Sequence, residues 1–209
     1  MTLAIREYVK ESGRSPFRDW LDTLDFAVKA RIQAHVLRFE IGNLGDHKSI
    51  GGGVWEARSS EPDIESISEK TATRSSSFWP VVRSHPSRRI SPARRTSGAT
   101  IWRQRSMARR SRDWNVGLAQ DLQSQEFARE FLLAAIEEGV PIQVALAKVV
   151  RATGVKEFAV KVGMASPNVL RAIDRRHNPT QQTLNRLLRP FNLRLSLARI
   201  EVPRRRHAA

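Results

Sequence analysis

Ser166, Asn168 and Arg171 are the residues of this 209-residue chain whose types and spacing best suit contact with another molecule. They lie in the stretch VKEFAVKVGMASPNVLRAID, Val155 to Asp174, and would share the outer face of a short helix. Asn168 can pair bidentately with adenine and Arg171 with guanine, and a serine hydroxyl can bond either kind of base edge. Lys161, Arg175 and Arg176 flank that face. They are expected to meet phosphates, which fix register without reading sequence. The remaining residues would hold the face in place. Small Ala159 lets a following helix cross closely, Gly163 suits a tight turn with positive φ, and Val162 and Met164 flank that turn as buried positions. Ser166 is expected to cap the second helix, with Pro167 at its first position. Val169 and Ile173, spaced i,i+4, would fasten it to a core. In a helix-turn-helix, the N-terminal part of such a helix enters the DNA major groove. The alternative is an ordinary α-hairpin. Pro167 donates no hydrogen bond, so base reading would rest on Ser166, Asn168 and Arg171.

Other chemistries find little support. There is no cysteine, which excludes disulfides and thiolate metal sites. His35, His47, His85, His177 and His207 are scattered without an i,i+4 pair. Glu137 and Glu138 are adjacent, so they do not share a helix face as an acid/base pair would. No serine sits in a nucleophile elbow. No metal, no cofactor and no enzymatic activity are expected. The formal net charge of +15 points to a polyanionic partner. It is uneven, roughly +1 over 1–58, +5 over 59–106 and +9 over 107–209. The opening MTLAIREYVKESGRS lacks the apolar core of a signal peptide, and no stretch approaches membrane-span length. A cytoplasmic protein without membrane contact is expected.

The elements that would position the face come from residues 107–209. Apolar spacing predicts a helix from Glu126 to Glu138, apolar through Phe127, Phe131, Leu132, Ala135 and Ile136 and ended by Gly139, and another opened by Pro141 with Ile142, Ala145, Leu146, Val149 and Val150 inward. After the paired helices, Asn178-Pro179-Thr180 should cap a last helix carrying Leu184, Leu187, Leu188 and Phe191. Leu193, Leu195 and Leu197 alternate as a short strand would, and Pro203-Arg204-Arg205-Arg206 reads as a frayed basic tail over 201–209. The motifs LLAAIEEG, ALAKVVRATG, FAVKVGMASPNVLRAI and NPTQQTLNRLL resemble the addiction-module antidote family, HigA-like antitoxins with a Cro/λ-repressor-type helix-turn-helix. That resemblance, over nearly all of 113–197, implies a cytoplasmic antitoxin that binds a cognate RelE/ParE-family toxin. It also implies repression of its own operon through double-stranded operator DNA, as a homodimer.

Residues 1–58 also read as folded sequence. Leu3, Ile5 and Tyr8 suggest a strand, and Ser15-Pro16 starts a helix with Phe17, Trp20, Leu21 and Leu24 as its stripe. Phe26 to Glu40 is a second helix with Val28, Ile32, Val36 and Phe39 inward, stopped at Gly42-Asn43. Gly51-Gly52-Gly53 is a turn before a strand from Val54 to Arg58; no Gly-Lys-Ser/Thr follows, so it is not a phosphate loop. The segments REYVKESGRSPFRDWLDTLD and ARIQAHVLRFEIGNLGDHKSIGGGVWEAR resemble the phage-derived addiction-killer branch of the RelE/ParE toxins. The resemblance stops near Arg58, the one residue it carries over toward messenger-RNA chemistry.

Residues 59–106 are rich in Ser and Arg and have no apolar period, as in a disordered linker. Yet they contain Phe78-Trp79-Pro80-Val81-Val82. Read one nucleotide earlier from Pro62, the genetic code permits GYRIYFGKDGDALVILLAGGSKSSQ and then DIARAKDLWRDYL, with alternating strands, a turn and an amphipathic helix. This is the pattern of a toxin's missing half displaced by a frame slip; a true linker is the alternative. The expected fold is mainly α. It comprises a partial α+β toxin domain over 1–58, a disordered or out-of-frame middle over 59–106 and a λ-repressor-like helix-turn-helix domain over 107–200. Two functions compete: a DNA-binding autorepressor carrying a broken toxin, and a fusion that retains ribonuclease activity.

Overall fold

Ser15 and Asp25 start the two N-terminal helices. The Ser15 hydroxyl accepts the Arg18 N–H at 3.4 Å, with Pro16 opening α1 (Pro16–Leu21). The Asp25 carboxylate accepts the Ala27 N–H at 2.9 Å, and α2 (Phe26–Glu40) runs from there until the chain turns at Ile41 and Gly42. Ahead of both, β1 (Ala4–Tyr8) alternates so that Ile5 and Glu7 point inward. The computed structural model describes residues 3–45, 47–51, 54–57, 82–83 and 111–197. Within these, β2 (His47–Gly51) pairs antiparallel with β3 (Val54–Ala57), a partnership that sequence patterning found only on the β3 side.

The described part of the chain is mainly helical, as expected, but its sheet joins distant segments. Strand β4 (Val82–Arg83) pairs with one edge of β1, and β5 (Ser111–Asp113) pairs antiparallel with the other, Tyr8 standing opposite Ser111. The remainder of 59–106, Arg58 and the basic tail of 201–209 lie outside the described residues. After β5 come α3 (Trp114–Asp121), α4 (Gln125–Glu137), α5 (Ile142–Thr153), α6 (Val155–Val162), α7 (Ser166–Ile173) and α8 (Gln181–Leu188), closed by a 3-10 turn at Arg189–Phe191. Helix α3 escaped sequence patterning. Its signals are the Asp113 cap, which accepts the Asn115 N–H at 2.9 Å, and the buried series Trp114, Leu118 and Leu122. The short strand expected at Leu193, Leu195 and Leu197 does not form. Leu193 and Leu195 pack on the core, Leu197 is exposed, and the Leu195 N–H goes to the Asn185 side chain at 2.7 Å instead of a neighbouring strand.

One hydrophobic core runs from Ile5 through α2 and α3–α8 to Phe191. Helix α2 packs along α4, with Ala30 and Ala34 of the first and Ala128 and Ala135 of the second fully buried. Ile32, Val36 and Phe39 point inward as their spacing predicts, while Val28, expected with them, is only half-buried; Gln33, Ala34, His35 and Leu37 are buried too, so no face of the run from Ile32 to Leu37 meets water. A helix enclosed in this way belongs to a core rather than to a surface.

Most buried polar side chains of α2 find partners on α3, α4 and α5, although Gln33 Oε1 and Arg38 Nε stay without a hydrogen bond. Asp121 accepts Arg18 Nη1 at 2.7 Å, Lys29 Nζ at 2.7 Å and Gln33 Nε2 at 2.6 Å. Arg18 also reaches Glu7 at 2.9 Å, and Arg112 reaches the same carboxylate at 3.2 Å. Gly117 makes room for Arg18, since a Cβ there would collide with the guanidinium. Glu40 accepts both Lys148, at 2.7 and 2.8 Å, and the Trp114 indole at 3.2 Å. Glu138 meets His35 and Arg38, each at 2.9 Å. Burial alone would lower the Lys29 pKa, but hydrogen bonds and charges from Asp121 and Asp22 outweigh it and raise the value above that of an ordinary lysine. Burial alone would raise Glu138, yet the bond and charge from His35, helped by Arg38, hold it below the ordinary glutamate value.

Two outcomes follow. Asp121→Ala removes the shared acceptor of Arg18, Lys29 and Gln33 and leaves Arg18 with Glu7 and Lys29 with Asp22, so the denaturant midpoint of the full chain should fall by the equivalent of about 1–3 kcal/mol. A gain in stability would contradict the pairing. Glu138, with its folded pKa depressed, contributes stability in full above the ordinary carboxylate range and loses it as pH falls through the folded value. Unfolding free energy followed below about pH 4 should therefore drop more steeply in the parent than in Glu138→Gln.

Candidate nucleic-acid interface

Helices α6 and α7 are joined by a tight turn centred on a left-handed glycine. Gly163 adopts φ 63° and ψ 41°, its N–H bonds Val160 O at 3.1 Å, and the Met164 N–H bonds Ala159 O at 3.0 Å. Those two bonds form a Schellman motif, and an L side chain at Gly163 would bring the strain of the left-handed region. Phe158, Ala159 and Val162 are buried on α6, as are Val169, Ala172 and Ile173 on α7. Phe158 stacks against Phe191, with ring centroids 6.1 Å apart, and ties α6 to the end of the chain's last helical turn.

The outward edge of α7 is left clear. Pro167, Asn168, Leu170 and Arg171 are exposed, and Ser166 is half-buried. Ser166 is not the cap that its type suggests. Ala165 takes that position without a side-chain bond, and Ser166 and Pro167 are the first two helical residues. The helix starts one residue early because the Ala165 carbonyl already accepts the N–H groups of Asn168 at 2.9 Å and Val169 at 3.1 Å. Asn168 and Arg171 therefore share the outer edge at i,i+3.

The flanking cations divide between α6 and the loop after α7. Lys161 is exposed and paired with Glu157 at 3.5 Å, an i,i+4 contact of little strength at a surface. Arg175 and Arg176 are exposed beyond α7. Asp174 organises that loop. Its carboxylate accepts the Arg176 N–H at 3.0 Å, and this bond, with the nearby charges of Arg176 and His177, lowers its pKa. Between residues 151 and 178, six Lys and Arg residues stand against two carboxylates, so the local field favours an anion.

Gln143 is the positioning residue that sequence inspection missed. From the first turn of α5 its Nε2 shares its two hydrogens among three carbonyls, Ala172 at 3.1 Å, Asp174 at 3.3 Å and His177 at 2.9 Å. It thereby clamps the end of α7 and the arginine-bearing loop to the core. A single glutamine in an apolar helix carries no sequence signal for this, because its three partners are backbone atoms about thirty residues away. Among the described residues, no group of three or more His, Cys, Asp or Glu side chains could hold a metal, and no helix is long and apolar enough to cross a membrane.

The arrangement defines a helical domain that presents one short helix, edged by cations, away from its own core. Residues 114–199 match the family described as "Probable addiction module antidote protein", starting at the first residue of α3. The match supports an addiction-module antidote role for this part of the chain. No curated protein and no solved structure matches.

Replacing Gln143 with Leu should remove the three-carbonyl clamp and cost about 1–3 kcal/mol of stability in thermal unfolding. Faster exchange of the His177 amide should accompany it. An unchanged melting temperature would show that the clamp is dispensable.

Proposed function

We propose that the chain is a non-catalytic, DNA-binding antidote that represses the operon of its own toxin–antitoxin module. The observation that carries this reading is the exposed edge of α7, with Asn168 and Arg171 side by side and its opposite edge buried. Helices α6 and α7 act as a helix-turn-helix with α7 in the major groove. Arg171 pairs with guanine, Asn168 with adenine, and Ser166 adds a hydroxyl at the groove end of the helix. Lys161, Arg175 and Arg176 contact phosphates and set the register. Two copies related by a two-fold axis would read two half-sites about one helical turn apart. The protein partner implied by an antidote is a toxin, and the N-terminal helices, by their resemblance, are a remnant of one of the RelE/ParE type.

Retained ribonuclease activity finds less support. Arg18, Lys29, Arg38 and Glu40 of the N-terminal helices are engaged in ion pairs with Asp121, Glu138 and Lys148 of the C-terminal region.

The test uses the full chain, because α2 is part of the core that carries α7. Fluorescence anisotropy on duplex DNA from the promoter of the module should give an affinity that falls as salt rises. Arg171→Ala should cost about 1–3 kcal/mol on that duplex and little on random DNA, whereas Arg176→Ala should weaken both alike and reduce the salt slope by about one. Equal losses on both DNAs for Arg171→Ala would make it a phosphate contact, and no binding at low salt would remove the function.

A further inference from the structure

Within the region that matches the antidote family, three side chains on α3–α5 are satisfied by residues of α1 and α2. Asp121 takes Arg18, Lys29 and Gln33; Glu138, at the end of α4, takes His35 and Arg38; Lys148 takes Glu40, which also accepts the Trp114 indole. Beneath those charges lie Phe127, Phe131 and Leu132, all buried in the shared core. Without the hairpin, that region would present an apolar stripe edged by two carboxylates and an ammonium, which is the make-up of a protein interface rather than of a free surface.

We infer that α1 and α2 occupy, within the same chain, the face on which the antidote region takes a separate partner, so that the intact chain excludes a second chain of the same hairpin chemistry. The inference rests on the antidote reading above. The excluded partner is defined by what the face recognises: a helical hairpin with cations for Asp121 and Glu138, a carboxylate for Lys148 and small residues where Ala30 and Ala34 lie. Tethering decides the competition. A segment held on the same chain competes at an effective concentration of about millimolar, so a free partner at micromolar concentration is at a disadvantage on the order of a thousandfold.

The test is to insert a specific protease site between residues 90 and 100 of the full chain, cut it, and follow both pieces by size-exclusion chromatography. The pieces should co-elute at micromolar concentration. Arg38→Glu, which sets two carboxylates against each other, should separate them, and Arg38→Glu with Glu138→Arg should restore co-elution. With a fluorophore on the N-terminal piece, cut chain incubated to equilibrium with unlabelled cut chain should hand over its label. The same label offered to uncut chain should not transfer. Pieces that part on cutting, a charge swap that restores nothing, or label that passes equally into uncut chain would each overturn the inference. Promoter-DNA binding by the uncut chain is read in parallel. Its absence while the label pattern holds overturns the DNA-binding proposal and supports this one.

Discussion

The carboxylate of Asp121 receives hydrogen bonds from Arg18, Lys29 and Gln33, and much else in the structure depends on that convergence. A buried carboxylate costs several kcal/mol unless it is paired, and Asp121 is paired only when α1 and α2 bring their donors to it. Arg18 and Lys29 keep Glu7 and Asp22 as further partners, so the demand runs chiefly from α3 to α1 and α2. Gly117 belongs to the same constraint, because the helix must be bare where the Arg18 guanidinium lies against it. Glu40 with Lys148, and Glu138 with Arg38, repeat the pattern further along α2. The result is a helix from one end of the sequence built into a core otherwise made by the other end.

That core is also what makes the outward edge of α7 rigid. Val169, Ala172 and Ile173 anchor the helix from below, Gly163 fixes its angle to α6, and Gln143 holds the loop beyond it. The proposed DNA-reading role of that edge would need its side chains held to fractions of an ångström by groups that do not touch the ligand. Here those groups are backbone carbonyls, one amide side chain and a stacked pair of phenylalanines.

Local grammar made much of this legible. Caps at Ser15 and Thr180, stops at Gly42 and Gly163, and the stripe of α5 follow from periodicity and turn chemistry, and the structure has them, whereas Ile136 of the expected α4 stripe is exposed and Val28 of the expected α2 stripe is only half-buried. The exposed placement of Asn168 and Arg171 followed from the same pattern. What was not legible depends on contacts across the chain. Gln33 and His35 look like solvent-facing residues of an amphipathic helix until Asp121 and Glu138 arrive to meet them. Strand β5 is three polar residues, Ser111, Arg112 and Asp113, given meaning by an edge of β1 about a hundred residues earlier. The expected strand at Leu193, Leu195 and Leu197 failed for the converse reason: alternation without a neighbouring strand leaves the backbone to bond elsewhere.

The central claim is that α2 is a structural member of the same cooperative unit as α4. Native-state hydrogen exchange tests it most directly, by comparing the amides of Ala34 and Leu37 with those of Ala128 and Leu132 in the full chain. One shared core predicts that all four exchange through a common opening with the same free energy and the same denaturant dependence. Exchange from Ala34 and Leu37 that is orders of magnitude faster, while Ala128 and Leu132 stay protected, would show that α2 merely rests on a domain able to stand without it.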